Sequence, residues 1–355
     1  MWKYVLKRLG LLLITTFIIL SLTYILLQCL PLEAPRGNTT EMISFYNRQV
    51  ALGYFQRVAP GDSGYEAFIA NPEAADFKMT LTTGETVFFS SLPVMVRYVR
   101  WLGNIVLRWD WGTSTQISIG QSAISIILRR LPVSMKLNIV AMIISVPAGI
   151  GLGIWAALKK NKMTDHIIST LVMVFISVPS FVLISFMLIW MAYGAKWVPT
   201  QWPSAEMAAV DWKIAVRGYV IPVLALCFGS ICGFARYTRA ELCEVMSSEF
   251  LLLARTKGLT RAQAVVKHAL RNSMVPIVPM IIGEFVGVLS GSMILEQLYG
   301  IPGIGSLFVT ALNAKDYSVV MVDMAIYTLI GLLATLVVDL SYGIVDPRIR
   351  MGASK

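Results

Sequence analysis

Charge is scarce in this chain: only 14% of its 355 residues are Asp, Glu, Lys or Arg, while 56% are hydrophobic. A water-soluble domain needs more charge than that to cover its surface, so an ordinary soluble fold is excluded. Histidine is scarcer still, with His166 and His268 alone. No His-Glu-x-x-His spacing, Ser/His pair or facing Asp pair occurs at the depth of an apolar run, so no catalytic residue and no metal ligand is assigned. The four cysteines, Cys29, Cys227, Cys232 and Cys243, fall in or beside apolar runs and not in the long polar segment, which leaves no disulfide framework or zinc spacing. A phosphate loop of the G-x-x-x-x-G-K-[ST] type is also missing; Gly300–Gly305 is glycine-rich but has no lysine.

What is present is apolar sequence in long blocks. Leu9–Leu30 has 22 residues and no charge, long enough at about 1.5 Å per residue to cross the hydrocarbon of a bilayer. Leu131–Leu158, Ile167–Ala195, Gly218–Ala235, Met274–Leu298 and Tyr317–Val345 follow, which predicts an all-α polytopic membrane protein with six transmembrane helices. The first block is preceded by Lys3, Lys7 and Arg8 but is too long for a signal peptide, and Gln28 precedes Cys29 where a lipoprotein site needs a small residue. It reads as an anchor. Gly149-x-x-x-Gly153 and Gly283-x-x-x-Gly287-x-x-x-Gly291 place small residues on single helix faces, where close backbone approach drives association in lipid.

The net charge of +10 does not point to nucleic acid, because its distribution follows topology. With the N-terminus inside and six spans, the inside segments hold 16 Lys/Arg and the two short outside loops hold four. The reverse orientation breaks the positive-inside rule at every short loop. Both termini are therefore expected on the cytoplasmic side of the cytoplasmic membrane.

Between the first two spans lies a polar segment of about 100 residues, Pro31–Arg130, expected outside. Phe77, Met79 and Leu81, then Val87 and Phe89, alternate around Thr83-Gly84 and predict a β-hairpin. Val94–Trp109 predicts an amphipathic helix, with Arg97, Arg100, Asn104 and Arg108 opposite Tyr98, Leu102, Ile105 and Trp109. It would lie on the membrane surface, on the bundle, or on its own small domain. Charges inside the apolar blocks are costly and mark cavities or partners. Glu284, placed near mid-bilayer, and Asp323 are candidate pathway residues favouring a peptide ammonium group; the alternative is a Glu284 that is protonated or paired without touching cargo. Glu296 and Asp339 read as structural, and Lys136 sits near the outer end of the second span.

The stretch Arg236–Asn272 carries most information. Tyr237–Leu253 has helical apolar spacing through Leu242, Val245, Met246, Phe250 and Leu253; Gly258 interrupts, and a second helix starts near Arg261 with Ala264, Val265, His268 and Ala269 on one side. Such a helix–glycine–helix knob suits a soluble partner, and an amphipathic hairpin on lipid headgroups is the plainer alternative. A side chain at Gly258 is expected to obstruct the turn. Ala254-Arg255-Thr256-Lys257-Gly258-Leu259, followed by His268-Ala269-Leu270-Arg271-Asn272 and Pro276, resembles the coupling motif of binding-protein-dependent importer permeases. Asp110-Trp111-Gly112-x-Ser114, Arg130-Leu131-Pro132, Pro179-Ser180-Phe181, Glu296-x-x-Tyr299-x-x-Pro302-Gly303-x-Gly305, Asp316-Tyr317 and Asp346-Pro347-Arg348-Ile349-Arg350 follow in the same family order. The likeness, over residues 1–30 and 94–350, is to the B-type permease subunit of the oligopeptide, dipeptide and nickel ABC importers.

The resemblance implies a type I importer permease fold. Residues 1–30 would hold the N-terminal tip and first helix, 31–116 an extracytoplasmic insertion, 117–345 the transmembrane domain with a coupling loop at 236–273, and 346–355 a cytoplasmic tail. It also implies that Glu249, Ala254, Arg255, Lys257, Gly258, Leu259, His268, Arg271 and Asn272 serve ATPase coupling, with Glu296, Pro302, Gly303, Gly305, Asp346, Pro347 and Arg348 as structural motif residues. The implied partners are a second homologous permease, two cytoplasmic ATPase subunits that hydrolyse ATP with Mg, and an extracytoplasmic peptide-binding protein, in a lipid bilayer and without nucleic acid. The chain itself would bind no cofactor and catalyse nothing. The long insertion leans toward oligopeptides over dipeptides. Nickel or another small solute is the alternative cargo, and a secondary transporter or intramembrane enzyme is the alternative class; no internal repeat supports the former.

Overall fold

The structure is a computed structural model that describes residues 2–30, 39–80, 84–289 and 291–345. Asp346, Pro347 and Arg348, and Leu81 and Thr83 of the expected hairpin, lie outside the described residues. Among the described residues five helices are long and apolar enough to cross a membrane: Val5–Gln28, Ala123–Leu158, Trp212–Met246, Ala262–Gly287 and Tyr317–Ser341. A bent pair, Met163–Ser177 with Ser180–Gly194, makes six if counted as one span. The helices outrun the apolar blocks because apolarity marks hydrocarbon depth, not helix length. The second begins at Ala123 and carries Pro132 inside it, so Lys136 lies well within the helix and is exposed.

Two expected spans are broken. The third turns by 98° at Val178-Pro179, where the proline removes a backbone donor and holds Val178 extended (φ −84°, ψ 122°). The fifth ends at Gly287, and a separate short helix, Met293–Tyr299, follows. Glu284 therefore lies in the last turn of its span rather than at mid-helix.

The described residues fall into two compact units, and each is taken alone. One comprises residues within 1–13, 130–309 and 327–355. Its centre is the Trp212–Met246 helix. A Cβ on Gly149 would lie 2.7 Å from Phe234 Cβ, and one on Gly153 would lie 2.6 Å from the Ala235 carbonyl oxygen. The first glycine pair thus provides the close helix approach its spacing predicts. In the second run only Gly283 is tight against another span, with 3.3 Å to Val338 Cγ2; Gly287 meets nothing. Asp165, buried in the Met163–Ser177 helix, accepts two bonds from Arg239 of the central helix, at 2.5 and 2.8 Å.

The other unit holds residues within 14–129 and 310–326. It contains a small sheet, in the segment where the alternation predicts a hairpin, within a chain that is otherwise mostly helical. Strands β1 (Phe55–Val58), β2 (Phe77–Thr80) and β3 (Thr86–Ser91) form an antiparallel sheet in the order β1-β3-β2. The hairpin pairs Phe77 with Phe89 and Met79 with Val87, as the alternation requires. The Thr39–Ala51 helix covers the sheet through Tyr46, which stacks on Phe77 with ring centroids 4.5 Å apart. Burial pushes the Tyr46 phenol up to about 12.

The Val94–Arg108 helix forms as expected but faces otherwise. Its buried side is Arg97, Trp101, Asn104 and Ile105. Arg97 donates to Gln28 Oε1, Asn104 to the Leu52 carbonyl and Tyr54 hydroxyl, and Arg100 to the Gly53 carbonyl. Meanwhile Met95, Val99, Val106, Leu107 and Trp109 are exposed. Arg97 and Asn104 of the polar stripe are inward because their partners come from the first helix and the Leu52–Tyr54 turn, while Arg100 and Arg108 stay exposed.

Candidate functional site

The Arg236–Asn272 stretch is a knob built on the end of the central helix. That helix runs to Met246, breaks at Ser247-Ser248, and is followed by a two-turn helix, Glu249–Thr256. The expected single helix through Leu253 is therefore two. Gly258 closes the turn at φ +94°, a left-handed conformation that side chains with a Cβ disfavour. Nothing lies within 4 Å of a Cβ built there, so the requirement is conformational, not steric as expected. The next helix opens on a reciprocal cap: Thr260 N donates to Gln263 Oε1 at 3.0 Å and Gln263 N to Thr260 Oγ1 at 3.3 Å. This Thr-x-x-Gln capping box was legible in the sequence.

The base of the knob is apolar and closed. Leu242, Cys243, Leu251, Ala264, Val265 and Ala269 pack on Ala157. His268 is exposed, off the side it was expected to share with Ala264, Val265 and Ala269, because the π-helical turn Val265–Ala269 inserts one residue and rotates it outward. The outer surface combines apolar and basic groups. Leu252 and Leu253 are 66% and 58% exposed and Val266 64%. Glu249, Arg255, Lys257, Gly258, Arg271 and Asn272 are also exposed, while Ala254 and Leu259 are half-buried. Phe250 and Leu253, which belong to the same apolar spacing as Leu242, Val245 and Met246, face out.

The motif after the fifth span is a buried polar node. Glu296, 2% exposed, accepts from Ser134 Oγ (2.7 Å), Ser292 N (3.2 Å) and Ser306 N (3.0 Å). Ser134 Oγ in turn accepts from Ile304 N at 3.0 Å. Burial pushes the Glu296 carboxyl up, against the donors that pull it down. A Cβ on Gly303 would strike Glu296, and one on Gly305 would lie 2.7 Å from Met293 N. Pro302 is half-buried beside them. Tyr299 donates to the Pro199 carbonyl at 2.9 Å, and burial raises its phenol to about 12, which keeps the proton in place. Asp339, with the same expected structural role, pairs with Arg8 at 2.9 Å.

A second node lies in the other unit. Asp316 is fully buried and accepts from Ser114 Oγ (2.5 Å) and from the backbone N–H groups of Thr115, Gln116 and Ile117 (3.0–3.1 Å). Two motifs some 200 residues apart in sequence thus meet at one carboxylate.

Glu284 lines a cavity of about 160 Å³ with Asn138, Ser145 and Gly283. Its Oε1 accepts from Ser230 Oγ at 2.8 Å. Ser145, Ser230 and Asn138 were missed in the sequence, although each is a polar residue inside an apolar block. Asp323 is fully buried and is not among the residues lining that cavity.

The family described as binding-protein-dependent transport system inner membrane component matches residues 149–351, a stretch that includes the knob and the Glu296 node. The chain belongs to this family. The dipeptide transport system permease protein DppB of Lactococcus lactis is 32% identical over 352 residues, 99% of this chain and 100% of that protein. The oligopeptide transport system permease protein OppB of Haemophilus influenzae is 31% identical over 298 residues, 84% of this permease and 92% of that one. A solved structure of the MetNI methionine ABC transporter, in inward-facing conformations, aligns with 61% of this permease and 97% of that chain at 15% identity and a TM-score of 0.45. This permease is a multi-pass subunit of an ABC importer, and such a subunit works with ATPase and binding-protein partners.

Proposed function

We propose that this permease forms half of a translocation pathway for peptides, with a second homologous permease as the other half. Two ATPase subunits grip the Glu249–Asn272 knob from the cytoplasm and hydrolyse ATP with Mg; a binding protein delivers cargo to the opposite face. The observation that carries the reading is the knob itself, a rigidly based helix–glycine–helix whose Leu252, Leu253, Arg255 and Lys257 are exposed while its underside is packed. An apolar and basic surface of this kind suits an acidic-rimmed protein groove. Purification of the tagged chain tests it: both ATPases and a second permease should accompany it. Transport by the chain alone in liposomes without ATP overturns it.

Both termini are placed in the cytoplasm by the positive-inside balance. Cys29 is exposed at the end of the first helix, whereas Cys227, Cys232 and Cys243 are buried. A membrane-impermeant maleimide should therefore label intact cells at Cys29 alone, and Cys29→Ser should abolish labelling; label added only after lysis reverses the orientation.

Peptides are favoured by the likeness to dipeptide and oligopeptide permeases. The insertion's length does not separate peptide classes, because a dipeptide permease aligns with this chain end to end. Uptake competition by di-, tri- and longer peptides and by nickel distinguishes the cargoes. For the pathway role of Glu284, the cavity it lines and its neighbours Ser145 and Asn138 are the support. Glu284→Gln should reduce uptake of cationic peptides several-fold more than of neutral ones, the effect of about 1 kcal/mol of charge interaction. Equal uptake of both sets by wild type and variant removes Glu284 from the pathway.

A further inference from the structure

The unit formed by residues within 14–129 and 310–326 contains a cavity of about 80 Å³ beside the C-terminal end of the first helix. Its lining includes Arg48, Arg97 and Lys315 and, among the described residues, no Asp or Glu. Arg97 is 6% exposed, and after its bond to Gln28 its Nε has no partner among the described residues. The indole Nε1 of Trp111, which also lines the cavity, is buried and likewise unpartnered. Arg48 is shared with Asp110, 3.3 Å away. A buried guanidinium Nε–H and an indole N–H left without an acceptor on residues lining one cavity are costly unless an anion answers them.

The position of the cavity narrows the anion. Tyr24 and Trp101 stack at 4.4 Å, and Tyr98 hydrogen-bonds Ser21 of the first helix, an aromatic cluster at the end of a bilayer-length helix such as marks the headgroup level. Leu22 and Leu26 of that helix are exposed, as is the apolar stripe Met95–Val99–Val106 of the neighbouring helix. Both would lie against acyl chains. We propose that this cavity binds the phosphate of a membrane phospholipid, with Arg97 Nε–H and Trp111 Nε1–H as donors and Arg48 and Lys315 supplying positive potential. The Asp-Trp-Gly motif then has a lipid-facing task besides its turn, and the bound lipid fastens the insertion to the bilayer surface.

The test uses the full-length permease purified with its partner subunits in detergent, read by native mass spectrometry and by thermal melting. Phosphatidylglycerol should be retained and should raise the melting temperature, whereas monogalactosyldiacylglycerol, which has acyl chains but no phosphate, should do neither. Arg97→Gln should weaken phosphatidylglycerol retention about tenfold, the loss of one charge-assisted bond. Trp111→Phe keeps the ring and removes the donor, and should weaken it about threefold even if Arg97→Gln fails to assemble. Equal retention of the two lipids overturns the proposal, as does retention unchanged in Trp111→Phe. Protection by millimolar inorganic phosphate or by a free peptide carboxylate, without protection by phosphatidylglycerol, assigns the cavity to a soluble anion and overturns the lipid reading.

Discussion

Gly258→Val should abolish peptide uptake while the permease still accumulates in the membrane. The glycine turns the chain at φ +94°, where an L residue pays about 1–2 kcal/mol and a β-branched one more. No atom lies within 4 Å of the added Cβ, so the damage cannot come from a clash. The backbone instead moves out of the left-handed region, and the Glu249–Thr256 helix turns relative to the capped helix that follows. Because the position is exposed and the packed base lies beneath it, global stability should change little. Docking geometry should change a great deal, since a misplacement of about 1 Å can cost two orders of magnitude in a coupled machine. Two measurements read this out: ATPase recovered per purified permease, and peptide uptake, both expected below about a tenth of wild type. Gly258→Asn should be intermediate, because asparagine tolerates that conformation better. Normal uptake in the valine variant would remove the knob from the coupling role.

Glu296→Gln is the second large effect, and here the chain itself should fail. The carboxylate's partners donate hydrogens to it, among them Ser134 Oγ, Ser292 N and Ser306 N. A glutamine presents one oxygen and one NH2, so at least one backbone N–H would face another donor in a site that is 2% exposed. Each buried donor left unmet costs about 1–3 kcal/mol. The expected result is a fall in thermal stability large enough to deplete the protein from membranes, with Glu296→Ala worse, since it orphans all three donors. Ser134→Ala removes one donor and should be milder. The comparison of steady-state amount and melting temperature across the three variants checks the order.

Much of this architecture was legible because hydrophobic length and alternation report on burial directly. Leu9–Leu30 became a span, and the strands within Phe77–Phe89 pair as a hairpin. The knob and its glycine also stood where the motif places them. What escaped depended on partners distant in the chain. Arg97 and Asn104 read as a solvated stripe, yet Gln28 and Tyr54 draw them inward. Strand β1 pairs with β3 across more than 30 residues, which no local pattern announces. The apolar run Met274–Leu298 looked continuous because the carboxylate that ends it is answered by backbone donors, and hydropathy cannot see those. The bend at Pro179 was signalled by its proline, but a proline alone does not distinguish a kink from a reversal near a right angle.

The Asp316 node has a consequence for how the protein is made. Ser114 and the three backbone donors behind it are synthesised some 200 residues before the carboxylate they require. At translation speeds of about 5–20 residues per second, roughly 10–40 seconds pass in between. Through that interval the approach to the second helix is an unfinished piece of polypeptide, with its N–H groups held by water or by the insertion machinery. Only the stretch just before the Tyr317–Ser341 helix completes it, so a ribosome that stalls in the fifth span leaves a product recognisably incomplete to membrane quality control.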